Sequence, residues 1–141
     1  MYNYSNTKTI SKVISLMSQT ITCEHDIYSA ISRVKYLMKD LPFTTIDVQS
    51  VIVSLMEMAR NVLMHGGGNG HFICRTIPLG ICMIVSDRGP GIPDLEAVME
   101  GSKRSDKGLG LGISGTIRLM DEVRIETSRK GTKVIAIKRY T

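Results

Sequence analysis

Residues 45–87 read TIDVQSVIVSLMEMARNVLMHGGGNGHFICRTIPLGICMIVSD, and a change of period inside this stretch decides the fold. From Val51 to Leu63 the apolar residues Val51, Ile52, Leu55, Met56, Ala59, Val62 and Leu63 recur at helical steps. The spacing predicts a helix that opens near Thr45 or Asp47, is apolar on most sides and stops at Gly66–Gly67–Gly68. Beyond the glycines come two short apolar segments, His71–Ile77 and Gly80–Ser86, joined by the turn Pro78–Leu79–Gly80. No crossover of helical length separates them, so they form an antiparallel hairpin. A buried helix beside a meandering pair of strands is the beginning of an α+β layer structure.

Working outward, residues 1–9 are polar and aperiodic and read as a flexible N-terminus, with a single domain over residues 10–141. Partial alternation between Ile10 and Thr22 predicts one or two short strands. Asp26 is placed as the N-cap of an amphipathic helix carrying Ile27, Ala30, Ile31, Val34, Leu37, Met38 and Leu41, stopped by Pro42. On the other side, Asp94 is placed as the cap of a short helix over Leu95–Glu100. Gly108, Gly110, Gly112 and Gly115 mark a flexible approach to a helix with Ile113, Ile117, Leu119 and Met120. Val123–Thr127 and Thr132–Arg139 alternate around the turn at residues 128–131, a second hairpin. The expected fold is a two-layer α/β sandwich of the α+β class, with a mixed, mostly antiparallel sheet and helices on one face.

A chain of 141 residues leaves no room for a second core. The net charge of +5 suits an anionic partner, but the basic residues form no stripe and are not interleaved with aromatics. Nucleic acid is therefore the weaker expectation beside a phosphate-bearing small ligand or an acidic protein. Three cysteines, Cys23, Cys74 and Cys82, show no CxxC spacing and read as buried free thiols. The methionines Met56, Met58, Met64, Met83, Met99 and Met120 lie in apolar stretches and read as adaptable core filler. There is no signal-peptide pattern and no apolar run near the ~20 residues a bilayer span needs, so no membrane is expected and the expected location is the cytoplasm.

Three distant segments carry candidate chemistry. On the long helix Ser54, Glu57, Asn61 and His65 share one polar face against an apolar background. Glu57 and Asn61 could hold water and one hard cation, or could simply face solvent. Asp87–Arg88–Gly89–Pro90–Gly91–Ile92–Pro93 delivers a carboxylate from a strand to a stiff turn. That carboxylate could accept from an exocyclic amine, and the same segment is also ordinary turn chemistry. Gly108–Leu109–Gly110–Leu111–Gly112 at a helix start exposes backbone N–H groups to an anion, but lacks the Gly-Lys-Ser/Thr of a P-loop and the βαβ context of a dinucleotide site.

In this order, Glu57-x-x-x-Asn61, Asp87-x-Gly89-x-Gly91 and Gly108-x-Gly110-x-Gly112 resemble the ATP-site boxes of the Bergerat-fold ATPases (gyrase, heat-shock chaperones, mismatch-repair ATPases, histidine kinases). The wording of Glu57–Asn61, Asp87–Asp94 and Arg118–Glu122 is most similar to the switch serine-protein kinases of bacterial stress-response modules and their anti-sigma-factor relatives. The resemblance implies ATP and Mg²⁺ as cofactors, with Asn61 on the metal and Glu57 as general base or as the group orienting the acceptor hydroxyl. It further implies Asp87 on the adenine amine, Gly89 and Gly91 shaping the base pocket, Gly108, Gly110 and Gly112 on the phosphates, and Thr132 supporting the adenine side. The implied acceptor is a small anti-sigma-factor antagonist of the sulfate-transporter/anti-sigma-antagonist domain type, with a phosphatase or sigma factor as alternate partner. Residues 101–107 imply an abbreviated lid, and with no phosphorylatable-histidine helix segment read in these residues, autokinase two-component signalling is not expected.

Three functions remain open on these grounds: a partner-switching serine/threonine kinase, an anti-sigma factor acting by sequestration, and a non-catalytic nucleotide-dependent interaction module. Glu57 speaks against the last, because a pure binder needs no carboxylate beside its metal. Arg60 points away from Glu57 and Asn61 and is expected at the helix flank. His65 is either a structural residue facing a loop or a phosphate contact.

Overall fold

The computed structural model describes residues 15–96 and 109–140. In chain order its elements are β1 (Leu16–Ile21), α1 (Glu24–Met38), α2 (Thr45–His65), β2 (Gly70–Ile77), β3 (Gly80–Asp87), α3 (Leu109–Leu119), β4 (Glu122–Ser128) and β5 (Gly131–Arg139). The strands form one five-stranded sheet in the order β1-β2-β3-β5-β4, and every pairing is antiparallel. Both expected hairpins are present, and the β3–β5 pairing joins them. Of the expected strands in Ile10–Thr22 the described part is β1; residues 1–14, including the expected terminus at 1–9, lie outside the described residues.

The core lies between the sheet and the helices. Met17, Phe72, Cys74, Met83, Val85, Val134 and Ala136 turn inward from the strands. Ile27, Ala30, Val34 and Met38 of α1 and Val51, Leu55, Met58, Ala59 and Val62 of α2 cover them. On the opposite face the register aligns Ile73, Ile84 and Ile135 across three strands. These isoleucines are only half-exposed.

Several local expectations change. α2 opens with Thr44 as its N-cap: the Thr44 hydroxyl accepts from the Asp47 N–H at 3.0 Å, and the Asp47 carboxylate accepts from the Thr44 N–H at 3.3 Å. Such a reciprocal cap is worth about 1 kcal/mol. Asp26 is not the N-cap of α1; that residue is Cys23, whose side chain makes no capping bond. Asp26 sits in the first turn and reaches back to the Thr22 N–H and hydroxyl at 2.8 and 2.9 Å. Those bonds hold its carboxyl below the ordinary value. α1 ends at Met38 rather than Leu41, in keeping with the bias that Pro42 imposes on the residue before it.

Cys74 and Cys82 are buried free thiols as expected, but Cys23 is exposed. Burial, with a smaller contribution from nearby Cys82, pushes the Cys74 thiol up to about 12. Met58, Met83 and Met120 are core residues, whereas Met64 is 72% exposed; Met99 lies outside the described residues. Of the short helix expected over Leu95–Glu100, Leu95 and Glu96 are helical and the remainder lies outside the described residues. Among the described residues no helix is long and apolar enough to cross a membrane.

Candidate functional site

The site is built where the C-terminal end of α2 meets the end of β3. α2 cannot continue past His65, because Gly67 and Gly68 take φ of 87° and 76°. The Gly66 N–H bonds back to the Asn61 and Val62 carbonyls, and the Gly68 N–H to that of Val62. Gly66 has a different task. A Cβ there would collide with the Asp87 carboxylate and lie 3.0 Å from Val62 Cα. A Cβ on Gly89 would in turn lie 2.5–2.8 Å from the Gly66 backbone. Two glycines thus let the Asp87 turn lie directly on the end of α2.

Asp87 is held from one side only. Its Oδ1 accepts from the Gly89 N–H at 2.8 Å and from the Thr132 N–H at 3.3 Å. Thr132 is the register partner of Asp87 across β3 and β5. The Thr132 hydroxyl pairs with that of Thr127 at 2.8 Å, and Thr127 Oγ1 accepts from the Ile92 N–H at 2.8 Å. Gly91, at φ 91°, presses against the Ser128 carbonyl where no side chain fits. Asp87, the turn to Ile92 and the β4–β5 hairpin therefore form one hydrogen-bonded frame, and Oδ2 of Asp87 has no hydrogen bond among the described residues.

Above this frame lies a narrow cleft, partly open to solvent, lined by Asn61, Asp87, Gly91, Thr132 and His65 together with apolar Met58, Ile92 and Ile113. Four residues singled out in the sequence, Asn61, Asp87, Gly91 and Thr132, thus converge from α2, β3, the following turn and β5. Asn61 is notable for what it lacks. Its Nδ2 is buried without a hydrogen-bond partner among the described residues, although buried amides are nearly always paired. A half-turn of the amide would set its oxygen in the same place.

Glu57 is one turn before Asn61 on α2, half-buried, and does not line the cleft. Gly89 is buried under Gly66 and acts through the turn rather than as cleft lining. Gly110 and Gly112 fall inside the first turn of α3 rather than in a loop before it. The first four N–H groups of any helix have no intrahelical partner, so both glycines still lie where such donors are free. Gly108, like the segment 101–107, lies outside the described residues. Arg60 is at the helix flank as expected, 3.7 Å from the Glu24 carboxylate; with both groups well exposed the pair contributes little stability. His65 is exposed at the cleft.

Sequence reasoning missed Gly66, Thr127, Ile92, Ile113 and Met58. The cluster Gly66–Gly67–Gly68 was the available signal for the first: more glycines than a helix stop requires. Nothing local distinguishes Thr127, whose partner Ile92 is 35 positions away.

Known proteins resemble this chain over most of its length. A family described as the histidine kinase-like ATPase domain matches residues 22–138. The serine/threonine-protein kinase RsbT of Bacillus subtilis (strain 168) is 35% identical over 122 residues, 84% of this chain and 92% of that protein. The anti-sigma F factor of Clostridium novyi (strain NT) is 29% identical over 102 residues, 66% of this chain and 71% of that one. Among solved structures, the SiaB–SiaC complex from Pseudomonas aeruginosa contains a chain similar at TM-score 0.68 and 10% identity, with 96% of both chains covered. The RsbU and RsbW domains of Rv1364c from Mycobacterium tuberculosis are similar at TM-score 0.65 and 14% identity, covering 89% of this chain and 32% of that one. At these identities the two structures speak for the fold alone.

Proposed function

Since this chain belongs to the histidine kinase-like ATPase domain family, we propose that it is an ATP- and Mg²⁺-dependent protein serine/threonine kinase acting in the cytoplasm. Its proposed acceptor is a small anti-sigma-factor antagonist, and phosphorylation of that protein would switch the partners of a stress-response module. The observation that carries the reading is the cleft itself: it brings together Asn61 Nδ2 and Asp87 Oδ2, neither of which has a hydrogen bond among the described residues, with apolar side chains in the same lining. The 35% identity to RsbT, a serine/threonine-protein kinase, favours transfer to a protein hydroxyl.

The residues present fit the nucleotide. Asp87 Oδ2 would accept from the adenine amine, while Oδ1 stays engaged with Gly89 and Thr132. Met58, Ile92 and Ile113 would exclude water from the base. Asn61 would give its amide oxygen to the cation, a hard oxygen ligand for a hard ion that keeps most of its other positions for phosphate and water. Free N–H groups at the start of α3 would face the phosphates. Mg²⁺-ATP, when bound, supplies the transferable phosphoryl group and neutralises its charge. Glu57 would take the proton of the acceptor hydroxyl as its oxygen bonds to phosphorus, with ADP leaving.

Incubation with labelled ATP, Mg²⁺ and a candidate antagonist tests this directly. Label on a serine or threonine of the acceptor is the expected result. Absence of Mg²⁺-dependent ATP binding in the wild type would overturn the proposal. A second reading, sequestration of a sigma factor, is favoured by the 29% identity to an anti-sigma F factor. Capture of a sigma factor without phosphate transfer would select it.

A further inference from the structure

Side chains of a helix lean toward its N-terminus, so residues three or four apart meet over the preceding turn. Along α2 the polar residues Ser54, Glu57 and Asn61 follow one another at steps of three and four, a spacing at which the Glu57 side chain can reach back to the turn that carries Ser54. Ser54 is wholly buried, at 0% exposure. Its Oγ has no hydrogen-bond partner among the described residues. A buried hydroxyl left without a partner is disfavoured and calls for an explanation. Its neighbour Glu57 is half-buried, and no hydrogen bond or ion pair among the described residues holds the carboxylate in place. A base that must meet an acceptor hydroxyl within hydrogen-bond reach needs a fixed orientation.

We infer that Ser54 is a positioning residue for Glu57: in the nucleotide-loaded protein its buried hydroxyl donates to the Glu57 carboxylate. The bond occupies one carboxylate oxygen and leaves the other to face the acceptor. Ser54 itself touches neither substrate nor cofactor. The inference rests on the kinase reading and adds to it a residue that supports the base from within the core. It also accounts for a serine at a wholly buried helix position where an apolar residue would otherwise stabilise the packing.

The test compares wild type with Ser54→Ala and Ser54→Thr in the full chain. S54A should fold with an unchanged or higher unfolding midpoint, because an unpartnered hydroxyl is removed. It should bind Mg²⁺-ATP as wild type does, keep its KM for the acceptor and lose about tenfold in kcat. S54T, which keeps the hydroxyl, should recover most of that loss if the added methyl is accommodated. A second readout needs no turnover: the Glu57 carboxyl-carbon NMR resonance should move when wild type is loaded with Mg²⁺ and a non-hydrolysable ATP analogue, and should not make the same move in S54A. An active wild type whose S54A variant has the same kcat and the same Glu57 response overturns the Ser54 assignment alone. A wild type that transfers no phosphate strikes down the kinase reading and this inference with it.

Discussion

The two ends of the cleft are built in opposite ways. At the β3 end, Asp87, Gly89, Thr132, Thr127 and Ile92 are tied by hydrogen bonds of 2.8–3.3 Å before any ligand arrives. At the α2 end, Asn61 Nδ2 and Ser54 Oγ are buried with no partner among the described residues. The β3 end is tied together in advance, with Asp87 Oδ2 left without a hydrogen bond among the described residues, whereas the α2 end holds buried groups whose hydrogen-bonding capacity is unused. On the proposed reading, the end that would hold the base is preorganised by the fold, whereas the end proposed for the metal and the transfer would be completed by what binds.

The largest effect expected from this division is on Glu57. Glu57→Gln keeps the size and polarity of the side chain but removes the proposed base. Transfer to the acceptor should fall by about 10²–10⁴-fold, with ATP affinity within about threefold, measured by single-turnover labelling and equilibrium binding. Retained transfer would remove Glu57 from the base role. Next comes Asp87→Asn, in which an amide oxygen can still accept from Gly89 and Thr132 while an NH₂ replaces the free oxygen. Such a variant should fold, and its ATP affinity should drop by about 10–100-fold, the range for a lost hydrogen bond to a charged group. Unchanged ATP affinity would break the assignment of the base end.

A smaller effect separates the frame from the ligand. Gly66→Ala meets no backbone strain, since φ at Gly66 is −100°, but its methyl would collide with the Asp87 carboxylate. Overpacking of this kind should lower the unfolding free energy by about 1–3 kcal/mol, read by urea titration, and should weaken ATP binding in the same variant. A G66A protein as stable as wild type would mean that the β3 end is far looser than its hydrogen bonds suggest.

How much of this was legible follows the same division. α2, both hairpins and Asp87 at a strand end could be read because period, turn residues and local stiffness are properties of contiguous sequence. Asn61 stood out as a polar residue on an apolar helix. The frame was less visible because its members meet through the fold: Gly66 matters for a turn 21 to 23 positions later, and Thr127 for Ile92, 35 positions away. Asp26 was misplaced by one role rather than by position, since an acid in a helix's first turn and an acid at its N-cap look alike until the Thr22 contacts are seen. Met64 sits amid apolar neighbours yet faces solvent, because a helix packed on one side still exposes the other. β1 was blurred by its place at the sheet edge, where Leu16 is 64% exposed and the demand for alternation is weak.

The last prediction concerns stability alone and contrasts the two ends most directly. Asn61→Ala removes a buried amide whose Nδ2 has no partner among the described residues, and alanine is the better helix former by several tenths of a kcal/mol. The small cavity left beside an open cleft offsets part of that gain. The unfolding free energy of the ligand-free protein should therefore be unchanged or raised by about 1 kcal/mol. Asp87→Ala, which strips acceptors from the Gly89 and Thr132 N–H groups, should lower it by about 1–3 kcal/mol. With Mg²⁺-ATP present the order changes character: wild type gains stability from the ligand by mass action, and N61A should lose the part that depends on Mg²⁺. Urea titrations of the three proteins with and without Mg²⁺-ATP read both quantities. If N61A is destabilised as much as D87A in the absence of ligand, Asn61 is structural and the asymmetry between the two ends disappears.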